Sequence, residues 1–130
     1  MENLQGEAGK ENLEMNPFKI CTKCGYTWKV REDFLKDPFI CLVGFQANPI
    51  ETELGYYLFN HILEEDQCNT TIAVEVGVFL PLYKGISFTD IKFESPQCEL
   101  HCTRVDDLSR CSVKCKNAMA REIMQGFSRC

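Results

Sequence analysis

The chain lacks most of the signatures that enzymes and membrane proteins carry. No stretch approaches the roughly 18 consecutive apolar residues of a membrane span. Residues 1–16, MENLQGEAGKENLEMN, show no basic start followed by an apolar run, so no secretory signal pattern is visible there. GxSxG, HExxH and a Gly-rich phosphate loop are all missing, which removes the common nucleophile, metalloprotease and nucleotide-binding motifs. Histidine is scarce, with only His61 and His101. From Asp37 to Tyr83 there is no Lys or Arg, while Asp37, Glu51, Glu53, Glu64, Glu65, Asp66 and Glu75 are all acidic. A nucleic-acid surface needs a basic stripe over the folded domain, and this acidic middle argues against one. The basic residues after Thr103, from Arg104 to Arg129, read as a solvated helix face.

What the chain has in excess is cysteine: nine in 130 residues. With 45% apolar and 25% charged residues the composition is that of an ordinary globular protein, so wholesale disorder is excluded. The expected compartment is a reducing cytoplasm, where clustered cysteines hold metal more often than they form disulfides. Residues 1–16 carry four Glu against Lys10 and almost nothing to bury, and are expected to be a flexible acidic leader. Residues 17–130 are then expected to form one metal-stabilised domain, with a sheet region (17–95) and a cysteine-rich helical region (96–130).

The pattern predicts an α+β fold with a small antiparallel sheet of three to five strands. Tyr26–Val30, Phe39–Phe45, Gly55–His61 and Thr70–Val76 are rich in aromatic and β-branched residues and read as strands. Arg31–Lys36 reads as a short helix stopped by Asp37-Pro38, since the residue before proline avoids the helical region. Ile86–Phe93 alternates imperfectly, as a further strand would. Cys111, Cys115, Met119, Ile123 and Phe127 fall four apart and predict one C-terminal cysteine-bearing helix, with Ser109 as N-cap and Gly126 as its end signal.

Two cysteine constellations carry the chemistry. In Cys21-Thr22-Lys23-Cys24-Gly25, two thiolates at this spacing can reach one tetrahedral ion, and the glycine permits the left-handed turn that follows. CTKCGYTW resembles a zinc-ribbon or rubredoxin knuckle over about ten residues, without the second CxxC of a ribbon. A thioredoxin-like redox pair is the alternative, but it needs a βαβ setting. A lone knuckle needs two more ligands. His61 closes one strand and Cys68 opens the next, so both can meet at one end of a hairpin and complete a Cys₃His site. Cys41, inside an apolar run, is expected to be buried and inert.

The second constellation is Cys98-x₃-Cys102 and Cys111-x₃-Cys115, separated by eight residues. At helical spacing each pair puts two sulfurs on one face. A second zinc ion, an iron–sulfur cluster or two disulfides would each use four such sulfurs. The twin CX₃C layout also resembles the small mitochondrial TIM chaperones, a likeness that implies disulfides, although those proteins have a longer spacer and are almost entirely helical. His101 is expected to face solvent, and Cys130 to be an exposed reactive thiol.

As a whole the chain is similar to small uncharacterised bacterial proteins. They combine a CxxCG-x₂-W knuckle, a Phe-Asn-His strand end, a Cys-x-Thr-Thr strand and a cysteine-rich C-terminus, and the resemblance implies no particular activity. The expected function is a metal-binding scaffold, holding two zinc ions, for an interaction or regulatory role with a protein partner. A redox or metal sensor is the alternative, with an iron–sulfur cluster or a thiol–disulfide switch at the C-terminal cysteines. A hydrolase with an open zinc position at His61 is the second.

Overall fold

Alternation along three strands builds the sheet. β3 (Ile40–Gln46), β4 (Tyr56–Leu63) and β5 (Cys68–Glu75) form an antiparallel meander in the order β3-β4-β5, and a smaller hairpin pairs β1 (Lys19–Ile20) with β2 (Thr27–Trp28). Two helices complete the α+β fold: α1 (Arg31–Lys36), and α2 (Lys116–Met124) near the C-terminus. The structure, a computed structural model, describes residues 16–130; the expected leader lies outside these, Asn16 excepted.

One face of the meander is apolar. Leu42 and Phe45 of β3, Tyr57 and Phe59 of β4, and Ile72 and Val74 of β5 are buried on it. Trp28, Phe34, Phe79 and Phe127 cover them, with ring centroids 5.0 Å apart for Phe34–Phe59 and 5.1 Å for Phe79–Phe127. α1 is short because Asp37 ends it. The Asp37 carboxylate accepts from the Trp28 indole N–H at 2.8 Å and from the Phe39 backbone N–H at 2.8 Å, which fixes Trp28 over the sheet.

β3 bends at a bulge: Leu42 pairs with Phe59 and Gly44 with Leu58, leaving Val43 without an opposite residue. Gly44 leaves room there for the Val105 side chain. A Cβ at this position would sit 2.8 Å from Val105 Cγ1, and the Val105 carbonyl accepts the Phe45 N–H at 2.9 Å. The other part of this edge is covered by the C-terminal tail, which runs parallel to β3. Leu42 N–H donates to Ser128 O at 2.7 Å and Cys130 N–H to Leu42 O at 3.2 Å.

That tail overturns two expectations. Cys41 and Cys130, expected to be a buried inert thiol and an exposed reactive one, are joined as a disulfide. The reason is parity. Ile40 and Leu42 point into the core, so Cys41 between them points outward, where the tail brings Cys130 beside it.

The expected C-terminal helix forms with Cys115 at its N-cap, but the other C-terminal cysteines lie outside it. α2 starts only at Lys116; Cys115 is its N-cap residue in an extended conformation, and Cys111 lies in irregular chain. Arg121, fully buried in α2, is the cause. Its Nη1 donates to the carbonyls of Asp107 (2.7 Å) and Ser109 (2.9 Å), which draws that segment across the helix instead of letting Ser109 cap it. Cys102 lies within a single 3-10 turn, His101–Thr103, entered through a left-handed Leu100, and Cys98 precedes that turn in irregular chain. The strand expected over Ile86–Phe93 does not form, because its backbone groups serve α2. Phe88 N–H meets Met119 Sδ, Lys92 N–H meets Cys115 Sγ, and Asp90 O accepts the first amide of the helix, Lys116 N–H. Gly126 does mark the helix end, its N–H returning to Ile123 O at 3.1 Å.

α2 is fastened to the sheet through one buried hydroxyl. Tyr57 Oη donates to Ala120 O at 2.7 Å, and burial raises the phenol far above its ordinary pKa. Tyr57→Phe keeps the ring packing and removes the bond, so it should destabilise the protein by about 1 kcal/mol. Urea denaturation against the wild type measures this.

Candidate metal centre

The knuckle is a backbone-defined loop. Cys21 N–H donates to Tyr26 O at 2.8 Å, closing the β1–β2 hairpin, and Gly25 N–H returns to Cys21 O at 2.8 Å. Gly25 has a φ of 83°, a conformation that costs L-residues strain. The result puts Cys21 in the interior and Cys24 at the surface.

The sheet supplies the other two donors. His61 is on the buried face of β4 opposite Thr70, and Cys68 opens β5 opposite Leu63, so the two are diagonal neighbours on one face. The connection between them turns through left-handed Glu65 and Asp66. Both side chains are 1% exposed. The knuckle docks on this end of the hairpin. Trp28 stacks edge-on against the His61 ring at 5.0 Å, and Lys23 Nζ donates to Asn69 O at 3.2 Å.

Cys21 Sγ lies 3.7 Å from Cys68 Sγ, and Cys24 Sγ lies 3.9 Å from His61 Nδ1. All four donor atoms fall within 4.8 Å of one another. A tetrahedral zinc with bonds of about 2.3 Å to sulfur and about 2.0 Å to nitrogen separates its ligands by about 3.5–3.8 Å. The cluster therefore has nearly the dimensions of a loaded site, and the expected set of Cys21, Cys24, His61 and Cys68 is brought together.

No family model, curated protein or solved structure matches the chain. The likenesses to zinc ribbons and to the bacterial proteins accordingly rest on their motifs alone. Burial opposes ionisation of Cys21. The backbone N–H groups of Cys24 and Lys23 and the His61 side chain face its sulfur, however, and hold its thiol well below the usual range. Cys68 goes the other way: burial, then the neighbouring Cys21 and Cys24 sulfurs, push it up. One thiolate is thus prepared in advance, while a second sulfur keeps its proton until a cation displaces it. Ion affinity must rise with pH for that reason.

The remaining expected ligands lie elsewhere. Cys98, Cys102, Cys111 and Cys115 are free thiols that line one small cavity beside α2. Among the described residues, the Cys₃His group is the set whose donors close to within 4.8 Å; the C-terminal four do not. His101, expected to face solvent, is instead held on both ring nitrogens, at 2.8 Å from Asp107 and 2.9 Å from Glu99. These contacts raise its pKa, while Asp107, despite its burial, is held far below the carboxylate range by His101 and the Ser109 amide. Sequence reasoning missed Arg121, whose only signal was a cation among the apolar positions of the C-terminal helix.

Gly25→Ala keeps every ligand but forces a side chain into the left-handed turn, where a Cβ has open space and only the backbone is strained. It should cost about 1 kcal/mol of metal-loaded stability, or roughly a fivefold loss of ion affinity. Competition with a chromogenic chelator reads the change.

Proposed function

We propose that the chain is a small zinc-binding protein whose Cys₃His centre is structural, and that the scaffold it locks serves an interaction or regulatory role with a protein partner. The observation that carries this is the closeness of four donors from two separate hairpins, with a 3.7 Å sulfur–sulfur approach between residues 47 positions apart. Three thiolates and one imidazole are a zinc donor set, and four protein ligands complete a tetrahedron. Such an ion joins the knuckle to the end of β4 and β5, and its binding free energy becomes folding free energy.

The competing readings draw less support. A redox CxxC needs its first cysteine at the start of a long helix, whereas Cys21 and Cys24 sit in a two-residue-strand hairpin. Hydrolysis needs a coordination position left for water, and the donor count favours a filled shell. The groove beside His61, lined in part by Asp33, Asp37 and Phe39, lies next to the ring that points its Nδ1 at Cys24.

The partner reading rests on apolar side chains left at the surface of the knuckle hairpin, with Ile20, Tyr26 and Val30 about half-exposed, and on the absence of cations from Asp37 to Tyr83. No helix among the described residues is long and apolar enough to cross a membrane. A reducing, cytoplasmic compartment suits the seven free thiols. Cys41–Cys130 is the one pair that such surroundings would tend to open.

Full-length protein, stripped of metal under reducing conditions and reloaded, should take up zinc and unfold at a higher temperature than the stripped form. Cobalt in place of zinc should give the intense visible bands of a tetrahedral thiolate site. Cys68→Ser should lose one equivalent and most of the thermal shift. Zinc content unchanged in Cys68→Ser and in Cys21→Ser would overturn the assignment.

A further inference from the structure

We propose that Cys98, Cys102, Cys111 and Cys115 hold a second zinc ion, coordinated by four sulfurs, in the cavity they line. All four thiols border one space of about 20 Å³. Small organic ligands need some hundreds of Å³, so the space is sized for an ion or a single water and not for such a ligand.

Three of the four sulfurs already face a donor. Lys92 N–H points at Cys115 Sγ at 3.2 Å, Leu100 N–H at Cys98 Sγ at 3.3 Å, and Arg121 Nε at Cys102 Sγ at 3.5 Å. Hydrogen bonds of this kind favour thiolate over thiol. Leu100, which supplies one of these amides, is itself left-handed with a φ of 62°, an uncommon conformation for leucine.

Charge points the same way. Four thiolates around a divalent ion leave a net charge of about −2, which is costly to bury unless a cation stands beside it. Arg121 is that cation. It is fully buried, its Nη2 has no hydrogen-bond partner, and its Nε faces the cluster. Asp107, 3.8 Å from Nη1, shares part of its charge.

His101 also lines the cavity, but Asp107 and Glu99 occupy both of its ring nitrogens, so the sulfurs are left as the ligand set. The four do not yet close to the spacing of the first centre. They come from chain with one 3-10 turn between Tyr83 and the start of α2, and an ion would draw this segment in as it binds. The segment has little regular hydrogen bonding of its own, so metal closure would be its main staple.

The test is metal analysis of the full chain, purified and reloaded under reducing conditions, with native mass spectrometry. Wild type should carry two zinc ions. Cys111→Ser should lose one and keep the cobalt spectrum of the Cys₃His centre; Cys68→Ser should lose the other; His101→Ala should keep both. Cadmium NMR of the loaded wild type should show two resonances, one of them shifted as four thiolates require, and this holds even if Cys111→Ser fails to fold. One zinc in the wild type with a single cadmium resonance overturns the proposal. So does bound iron with charge-transfer absorption, or peptide mapping that pairs these four cysteines as disulfides. Loss of zinc in His101→Ala overturns the four-sulfur assignment.

Discussion

Side chains on a strand point alternately to its two faces, and the parity of β4 decides much of this molecule. Tyr57, Phe59 and His61 share the buried face. The first reaches the Ala120 carbonyl and holds α2. The second packs on Phe34 and Phe127, at 5.0 and 5.5 Å, and joins the two covering elements. The third meets the knuckle at the end of the same row. Slipping β4 by one residue would turn all three outward together, leaving the core uncovered and the ion cluster without its imidazole. Fold and candidate metal centre are therefore not separable layers here, since one register serves both.

Much of this was legible in the sequence because it is local. β-branched and aromatic runs marked β3, β4 and β5, and Asp37-Pro38 marked the end of α1. The Cys₃His group was legible because a knuckle lacking two ligands meets a strand that ends in histidine and another that begins with cysteine. Spacing failed where a distant contact outweighed a local period. Of the four-residue repeat from Cys111 to Phe127 only Met119 and Ile123 lie in α2, because Arg121 draws the carbonyls of Asp107 and Ser109 over the start of the helix and the chain turns away after Met124. Cys41 was misread because its apolar neighbours suggested burial, whereas their alternation already placed it on the outer face. Its bond to Cys130 could not be read, since a tail acting as an edge strand leaves no pattern in its own few residues.

Arg121 shows how a buried charge can organise irregular chain. It stacks over Phe45 at 5.2 Å, binds two carbonyls of the preceding loop, and faces Cys102. Removing one partner of such an arrangement leaves the others unsatisfied, which is more damaging than the loss of a single hydrogen bond. The loop it holds also carries Val105, whose carbonyl closes the edge of β3 over Gly44. A single side chain thus links the cysteine-lined cavity, the helix and the sheet edge.

The Cys41–Cys130 bond has a mechanical consequence. It closes residues 41–130 into a covalent ring that contains His61, Cys68 and all four C-terminal cysteines, and leaves Cys21 and Cys24 outside. A pull applied between Asn16 and Cys130 travels through residues 16–41 and then directly across the sulfur–sulfur bond, so the ring carries no load. The stretch that can be drawn out is about 25 residues, or roughly 85 Å. Resistance along it comes from the packing of Phe34 on Phe59, from Arg31 Nη1 on the Val78 carbonyl, and from the knuckle's attachment to His61 and Cys68. A metal ion there would act as a rivet between the arm outside the ring and the closed loop.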